Sequence, residues 1–271
     1  MSARKTVLIT GASSGIGLAC ARVLADRGLR VFGSSRRPPP SEQPFEFVAM
    51  DVTDERAVVA AVEQVLAASG RLDVVINNAG HVLAGPLELT SIEEVHAQLD
   101  TNLLGPLRVV RAVAPHMRRQ GSGLIVMVGS LGGLIGMPFQ SAYSASKFAL
   151  EGVTEALRHE LRPFGVHATI VEPGDVATPI TDKRRIAAAL AEPPGAAYAE
   201  TFRAIVDTYA REEREGVAAE LVAARIARII AHPRPRPRYA VGKLEQTAAV
   251  WLKRMLPARA FEWGIARYYG L

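Results

Sequence analysis

The chain alternates short apolar runs with amphipathic stretches. Lys5 to Thr10 reads Lys-Thr-Val-Leu-Ile-Thr, a β-branched apolar run that predicts a strand buried on both faces. An apolar helix follows from Leu18 to about Arg27, then a second strand over about Arg30 to Ser34 and a third over Phe45 to Met50. Thr53-Asp54 introduces a helix to about Ser69 with Val58, Val62, Val65 and Leu66 on one stripe. Leu72 to Ile76 predicts a fourth strand. Ile92 to about Gln120 predicts a long helical region that Gly105-Pro106 should bend. Leu124 to Val128 and Val166 to Val171 predict two more strands, separated by a helix that carries Tyr143 and runs to about Arg162. Gly216 to Ala231 reads as a further helix and Arg238 to Val241 as a last, seventh strand. Strands alternating with helices predict an α/β fold with a doubly wound, parallel, seven-stranded sheet flanked by helices. Ligands in such sheets bind at the C-terminal ends of the strands.

Composition sets the organisation. The 271 residues show no break before the end, which predicts a single domain over 1–242 and an extension over 243–271. Pro179 to about Glu215 reads as a helical substrate lid, with a break at Pro193-Pro194-Gly195. With 49% hydrophobic and 22% charged residues the chain can bury a core, which excludes disorder. The sole cysteine, Cys20, excludes an internal disulfide, fits a reducing compartment and is expected to be buried. Met1 to Lys5 is too short for a signal peptide, and no run of about 18 apolar residues predicts a transmembrane helix, so the expected location is cytoplasmic. From Arg234 to Leu271 there are eight Lys/Arg against two acids, a surplus larger than the net +5 of the whole chain. The basic excess therefore belongs to the tail, and nucleic-acid binding by the main domain has no support. The six histidines form no ligand-spaced cluster, so no metal is expected.

Chemistry gathers at the predicted strand ends. The first strand runs into Gly11-Ala12-Ser13-Ser14-Gly15-Ile16-Gly17 and then a helix. Glycines permit a tight turn, and the helix N-terminus offers free N–H groups to a pyrophosphate. The second strand ends in Ser34-Ser35-Arg36-Arg37, without the acid that would bind a ribose 2′-hydroxyl. Hydroxyls and a guanidinium suit a 2′-phosphate instead, which favours NADP(H) over NAD(H). Asn77-Asn78-Ala79-Gly80 follows the fourth strand, with small residues that admit a cofactor and amides that can tie strands together. Asn102 sits among Leu99, Leu103 and Leu104, where a buried amide needs a specific partner. Tyr143 and Lys147 lie one helical turn apart. An ammonium beside a phenol favours the phenolate and lowers its pKa from about 10, so Tyr143 could move a proton near neutrality.

With these motifs in series, the chain resembles the short-chain dehydrogenase/reductase family, Rossmann-type enzymes. Thr10 to Gly17 is similar to that family's TGxxxGxG loop, Asp51-Val52 to its adenine contact, and Asn77 to Gly80 to its NNAG segment. Asn102, Ser130, Tyr143 and Lys147 match the catalytic tetrad; Pro173-Gly174, Val176 and Thr178 match the segment that contacts the nicotinamide. The resemblance implies cofactor contacts from Gly11, Ser13, Ser14, Gly15, Ile16, Gly17, Ser35, Arg36, Asp51, Val52, Asn78, Ala79, Gly80, Tyr143, Lys147, Pro173, Gly174, Val176 and Thr178. It implies Tyr143 as general acid or base, Lys147 on its pKa and on the nicotinamide ribose, Ser130 on the substrate oxygen, and Asn102 positioning a relay water. It also implies a homo-oligomer, dimer or tetramer, built through the helices around Asn102 and Tyr143.

The sequence looks most like the branch that includes 17β-hydroxysteroid and retinol dehydrogenases. The apolar Leu131 to Phe139 segment agrees with a lipophilic carbonyl or alcohol substrate, steroid-, retinoid- or lipid-like. The alternative is a non-catalytic NADP(H)-sensing scaffold that binds a partner or a membrane through its basic tail. The tail mixes Val250, Trp251, Met255, Leu256, Phe261, Trp263, Tyr268 and Tyr269 with Lys253, Arg254, Arg259 and Arg267. Three roles fit it: packing on its own domain or covering the substrate site, burying against another subunit, or peripheral contact with an anionic membrane.

Overall fold

Successive side chains on a strand point to opposite faces, so a strand apolar at every position must be covered on both. The computed structural model, which describes residues 4–191 and 197–271, shows this in β1 (Thr6–Thr10). Val7 and Ile9 enter one core with α1 (Gly15–Asp26), while Leu8 enters the opposite core. Cys20 of α1 is sealed in the first core, and burial pushes its thiol up to about 12.

The second core is filled from α2 (Glu55–Ser69), whose N-cap Asp54 accepts the amides of Arg56 and Ala57. Strands β2 (Arg30–Ser35), β3 (Glu46–Ala49) and β4 (Val74–Asn77) complete one side of the sheet. A short β5 (Leu83–Ala84) leads into α3 (Ile92–Leu99), which carries a Ser91/Glu94 capping box. The long helix expected from Ile92 to Gln120 is interrupted by a π turn at Asp100–Leu104 before α4 (Gly105–Gln120). The break thus precedes Gly105-Pro106 and contains Asn102. Gly105 is pressed on the Val52 side chain, where a Cβ would lie 2.9 Å from Val52 Cγ2.

β6 (Gly123–Val128), α5 (Ser141–Leu161) and β7 (Val166–Pro173) follow, the last extending two residues beyond the expected Val171. Val176–Ala177 forms β8 and Arg185–Ile186 forms β9, which pairs with β5. The segment expected to be a lid holds α6 (Ala199–Arg214); the expected break at Pro193-Pro194-Gly195 lies outside the described residues. Val217–Ala218 forms β10 beside β8, so α7 (Ala219–Ala231) starts later than Gly216. β11 (Arg238–Val241) closes the sheet edge.

All seven long strands are parallel, in the order β11-β7-β6-β4-β1-β2-β3. Chain direction along the sheet reverses between β1 and β4, where a ligand crevice opens at the strand ends. Helices α1 and α7 cover one face; α2, α4 and α5 cover the other. Two further helices, α8 (Leu244–Met255) and α9 (Ala258–Tyr269), make up the tail. Among the described residues no helix is long and apolar enough to cross a membrane.

Candidate active site

The crevice begins with the turn after β1. Gly11 has φ of +71°, a conformation that favours glycine, and a Cβ at Gly17 would lie 2.3 Å from the Gly11 carbonyl oxygen and 2.5 Å from Asn78 Nδ2. Helix α1 starts without a side-chain cap and without an acid in its first turn. Its free N–H groups face the crevice with no anion of the protein's own, which fits a bound pyrophosphate. The Thr10 hydroxyl accepts the N–H of Asn78 and of Ala79, each at 2.9 Å, and Asn78 Nδ2 donates to the Thr10 carbonyl at 2.9 Å. Asn78 thus ties β4 to β1, as the sequence suggested. Asn77 does not: its buried amide atoms have no partner among the described residues. Thr178 reaches over the same turn, 3.3 Å from where a Cβ on Gly15 would be.

At the end of β2, Ser35 and Arg36 meet Asp51. Burial alone would raise the Asp51 carboxyl, but the Thr53 N–H and hydroxyl, with Arg36 and Arg108, hold it below the usual range. Arg36 is exposed and has no ion pair among the described residues. The Ser35 hydroxyl donates to the Arg37 carbonyl. Val52 is buried, and its carbonyl accepts Arg108 at 3.2 Å.

At the ends of β4 and β6 the reacting groups converge. A cavity of about 690 Å3 is lined by Ile16, Asn78, Gly80, Asn102, Ser130, Tyr143, Lys147, Pro173, Gly174, Val176 and Thr178. The remaining sequence-selected residues, Gly11, Ser13, Ser14, Gly15, Gly17, Ser35, Arg36, Asp51, Val52 and Ala79, do not line it. Gly11, Gly15 and Gly17 lie along the turn after β1, and Ser35, Arg36, Asp51 and Ala79 lie at the ends of β2 to β4.

The Ser130 hydroxyl is oriented by the Gly132 N–H at 3.0 Å. Lys147 Nζ is buried and donates to the Val128 carbonyl at 2.8 Å, 5.9 Å from the Tyr143 ring centre. Burial pushes Lys147 down to about 8, partly offset by Glu151. The phenol departs from the sequence expectation. Burial pushes Tyr143 up to about 12, opposed by Ser130 and reinforced by Glu213 and Asp175. The lysine's charge is directed at a carbonyl, and desolvation outweighs it.

Asn102 is buried because the π turn aims it inward. Its Nδ2 donates to the His81 carbonyl at 2.9 Å and its Oδ1 accepts the His81 N–H at 3.0 Å. The amide is committed to holding the loop after β4. Burial, with Arg185 and Arg36, pushes the His81 imidazole down to about 4, so it is neutral.

The outer wall is built partly by the tail, in one of the roles expected of it, and partly by acids and amides that the sequence did not select. Asp175, Glu212 and Glu213 line the cavity, as do Tyr209, Gln246, Leu252, Phe261, Ile265, Tyr268 and Tyr269. Gln246 is the latch. Its Oε1 accepts the N–H of Asp175 at 3.3 Å and of Lys243 at 3.4 Å, and its Nε2 donates to the Asp175 carboxylate. Tyr268 donates to Glu212, and Lys253 donates to the Leu134 carbonyl at 2.5 Å. Glu213 accepts from Thr181 at 2.6 Å and Arg184 at 2.5 Å. Burial, then Glu212 and Glu213, pushes Asp175 up to about 6. The aromatic tail signal was visible in sequence; Glu212 and Glu213 fall inside the expected lid, where the sequence singled out neither. Among the described residues no acid, histidine or cysteine cluster could hold a metal ion.

A family model described as short chain dehydrogenase matches residues 5–189. A 3-ketodihydrosphingosine reductase from Bacteroides thetaiotaomicron is 39% identical over 265 residues, 98% of either chain. Human 17-beta-hydroxysteroid dehydrogenase type 1 is 42% identical over 200 residues, covering 67% of this chain and 60% of that protein. Among solved structures, a short-chain dehydrogenase from Streptomyces avermitilis superposes with a TM-score of 0.80, at 31% identity over 99% of this chain and 98% of its own. One from Burkholderia phymatum in complex with NAD also gives 0.80, at 28% identity over 93% of each chain.

Proposed function

Because the chain belongs to the short-chain dehydrogenase family, we propose that it is an NADP(H)-dependent reductase of a lipophilic ketone, reversible as an alcohol dehydrogenase. The observation that carries this reading is the one cavity in which Ser130, Tyr143 and Lys147 face an apolar wall built by the tail. When bound, the nicotinamide supplies or accepts the hydride. The Tyr143 phenol, protonated at neutral pH, donates the proton that the substrate oxygen needs on reduction. The Ser130 hydroxyl holds that oxygen. Lys147 carries the positive charge that steadies the phenolate once the proton has left.

Arg36 supports NADP(H): an exposed guanidinium without an ion pair at the end of β2 suits a 2′-phosphate. With the Ser35 proton turned to Arg37, Arg36 is the main phosphate ligand. The four carboxylates on the cavity, Asp175, Glu212, Glu213 and Glu245, narrow the substrate. They disfavour an anion and favour a substrate with an amine beside its ketone. 3-Ketodihydrosphingosine, a long-chain amino ketone, is therefore the first compound to try, with a steroid ketone and an amine-free long-chain ketone as comparators.

The test follows NADPH and NADH consumption with these three ketones. The amino ketone with NADPH should be the best pair, and Tyr143→Phe should lose about 10²–10⁴-fold in turnover with cofactor binding intact. Arg36→Ala should weaken NADPH binding by about tenfold or more and leave NADH unchanged. Equal use of NADH by the wild type would remove the 2′-phosphate assignment. Cofactor binding without turnover of any ketone would favour the sensing scaffold.

A further inference from the structure

The tail has a second face. No residue of α8 or α9 is buried, although both helices line the cavity. At about 100° per residue, α8 turns Ala249, Leu252 and Leu256 to the cavity. Leu244, Trp251 and Met255 form a separate stripe and stand 84%, 64% and 79% exposed. On α9 the cavity side is Phe261, Ile265 and Tyr268. The opposite side carries Trp263, 68% exposed, between Arg259 and Arg267. The Arg254 guanidinium stands 5.6 Å over the Trp251 ring. Eight of the sixteen exposed large apolar side chains among the described residues fall within 244–271, so this is no random scatter.

We propose that the outer face of α8 and α9 docks on an anionic lipid bilayer. Each helix has 12 residues, too short to span and suited to lying in the interface. Tryptophan is the side chain that settles at the headgroup level, and flanking arginines meet anionic headgroups. Charge complementarity decides between occupants. The exposed stripes carry Arg254, Arg259 and Arg267, and two copies of this face would bring like charges together. Since the same two helices wall the cavity, docking sets that wall against the lipid, where an apolar substrate is dissolved. This goes beyond the reductase reading and stands without it.

The chain contains two tryptophans, both on this face, so their emission reports its surroundings. The full chain is mixed with vesicles of phosphatidylcholine alone or with phosphatidylglycerol, and followed by emission and flotation. Anionic vesicles should shift the emission to the blue and float the protein, and added salt should reverse both. Arg254→Gln with Arg259→Gln should weaken vesicle binding by about 25-fold at low salt, about fivefold per charge. Trp251→Ser with Trp263→Ser should abolish flotation while the far-ultraviolet circular dichroism, which reports the fold, is unchanged. Three results would overturn the proposal: no response to anionic vesicles, equal binding to neutral ones, or a blue shift with protein concentration alone that marks the face as a subunit interface.

Discussion

The two halves of the crevice are built by different means. The half proposed for the cofactor is set by backbone: Gly11 in a left-handed turn, Gly17 without space for a Cβ, and Thr10 joined to the amides after β4. Its parts are adjacent strand ends that the sheet aligns. The half proposed for the substrate comes from α6, α8 and α9, and side chains hold it: Gln246 on Asp175, Lys253 on Leu134, Tyr268 on Glu212. The first half has little freedom to change without losing its shape. The second can alter its lining residue by residue while the sheet stays intact.

The reacting groups sit at the seam, and pH should affect them most. With Tyr143 near 12, oxidation needs a scarce phenolate, so its kcat/KM should rise about tenfold per pH unit through the neutral range. Reduction should be level there and fall above about pH 8, as Lys147 loses its proton. Rate profiles in both directions check this; an oxidation rate independent of pH would place the proton elsewhere.

Gly17→Ala probes the backbone half. The added methyl meets a carbonyl oxygen, which cannot swing aside, so cofactor affinity should drop about 100-fold by titration. Gln246→Ala probes the other half. Unlatching α8 should raise KM for an apolar ketone about tenfold and leave the cofactor Kd alone. If each variant disturbed both constants equally, the division would be wrong.

The smallest effect concerns the sheet edge beneath both halves. Arg238 lies 2.7 Å from Glu151 and 3.0 Å from Glu172, one cation for two largely buried carboxylates. Burial and Glu151 push the Glu172 carboxyl up. The folded chain then holds a proton that the unfolded chain releases, so stability falls as pH rises above the ordinary carboxylate range. Glu172→Gln should remove that decline, raising Tm at alkaline pH by about 2–4 °C for about 1 kcal/mol. An unchanged pH dependence of Tm would show that the pair is not strained.

The same division explains what the sequence revealed. The central strands were legible because two-sided burial writes a continuous apolar run, as in Val7, Leu8 and Ile9. Ser130, Tyr143 and Lys147 were legible because glycine-rich turns and one helical turn fix them locally. The π turn was not, because π geometry at Asn102 depends on its bonds to His81, far along the chain. The rise in the Tyr143 pKa was equally hidden, since it comes from the protein around the ring rather than from Lys147. Glu212, Glu213 and Gln246 gain meaning only when α6, α8 and α9 gather around the cavity.

Cys20 has a practical consequence. It is fully buried between α1 and α7, with a thiol held in the unreactive form, and it is the only cysteine. The native chain is therefore silent toward maleimide and similar reagents. A single cysteine introduced at an exposed tail position would take a spin or fluorescent label cleanly, and the tail's motion could be recorded without background from the rest of the molecule.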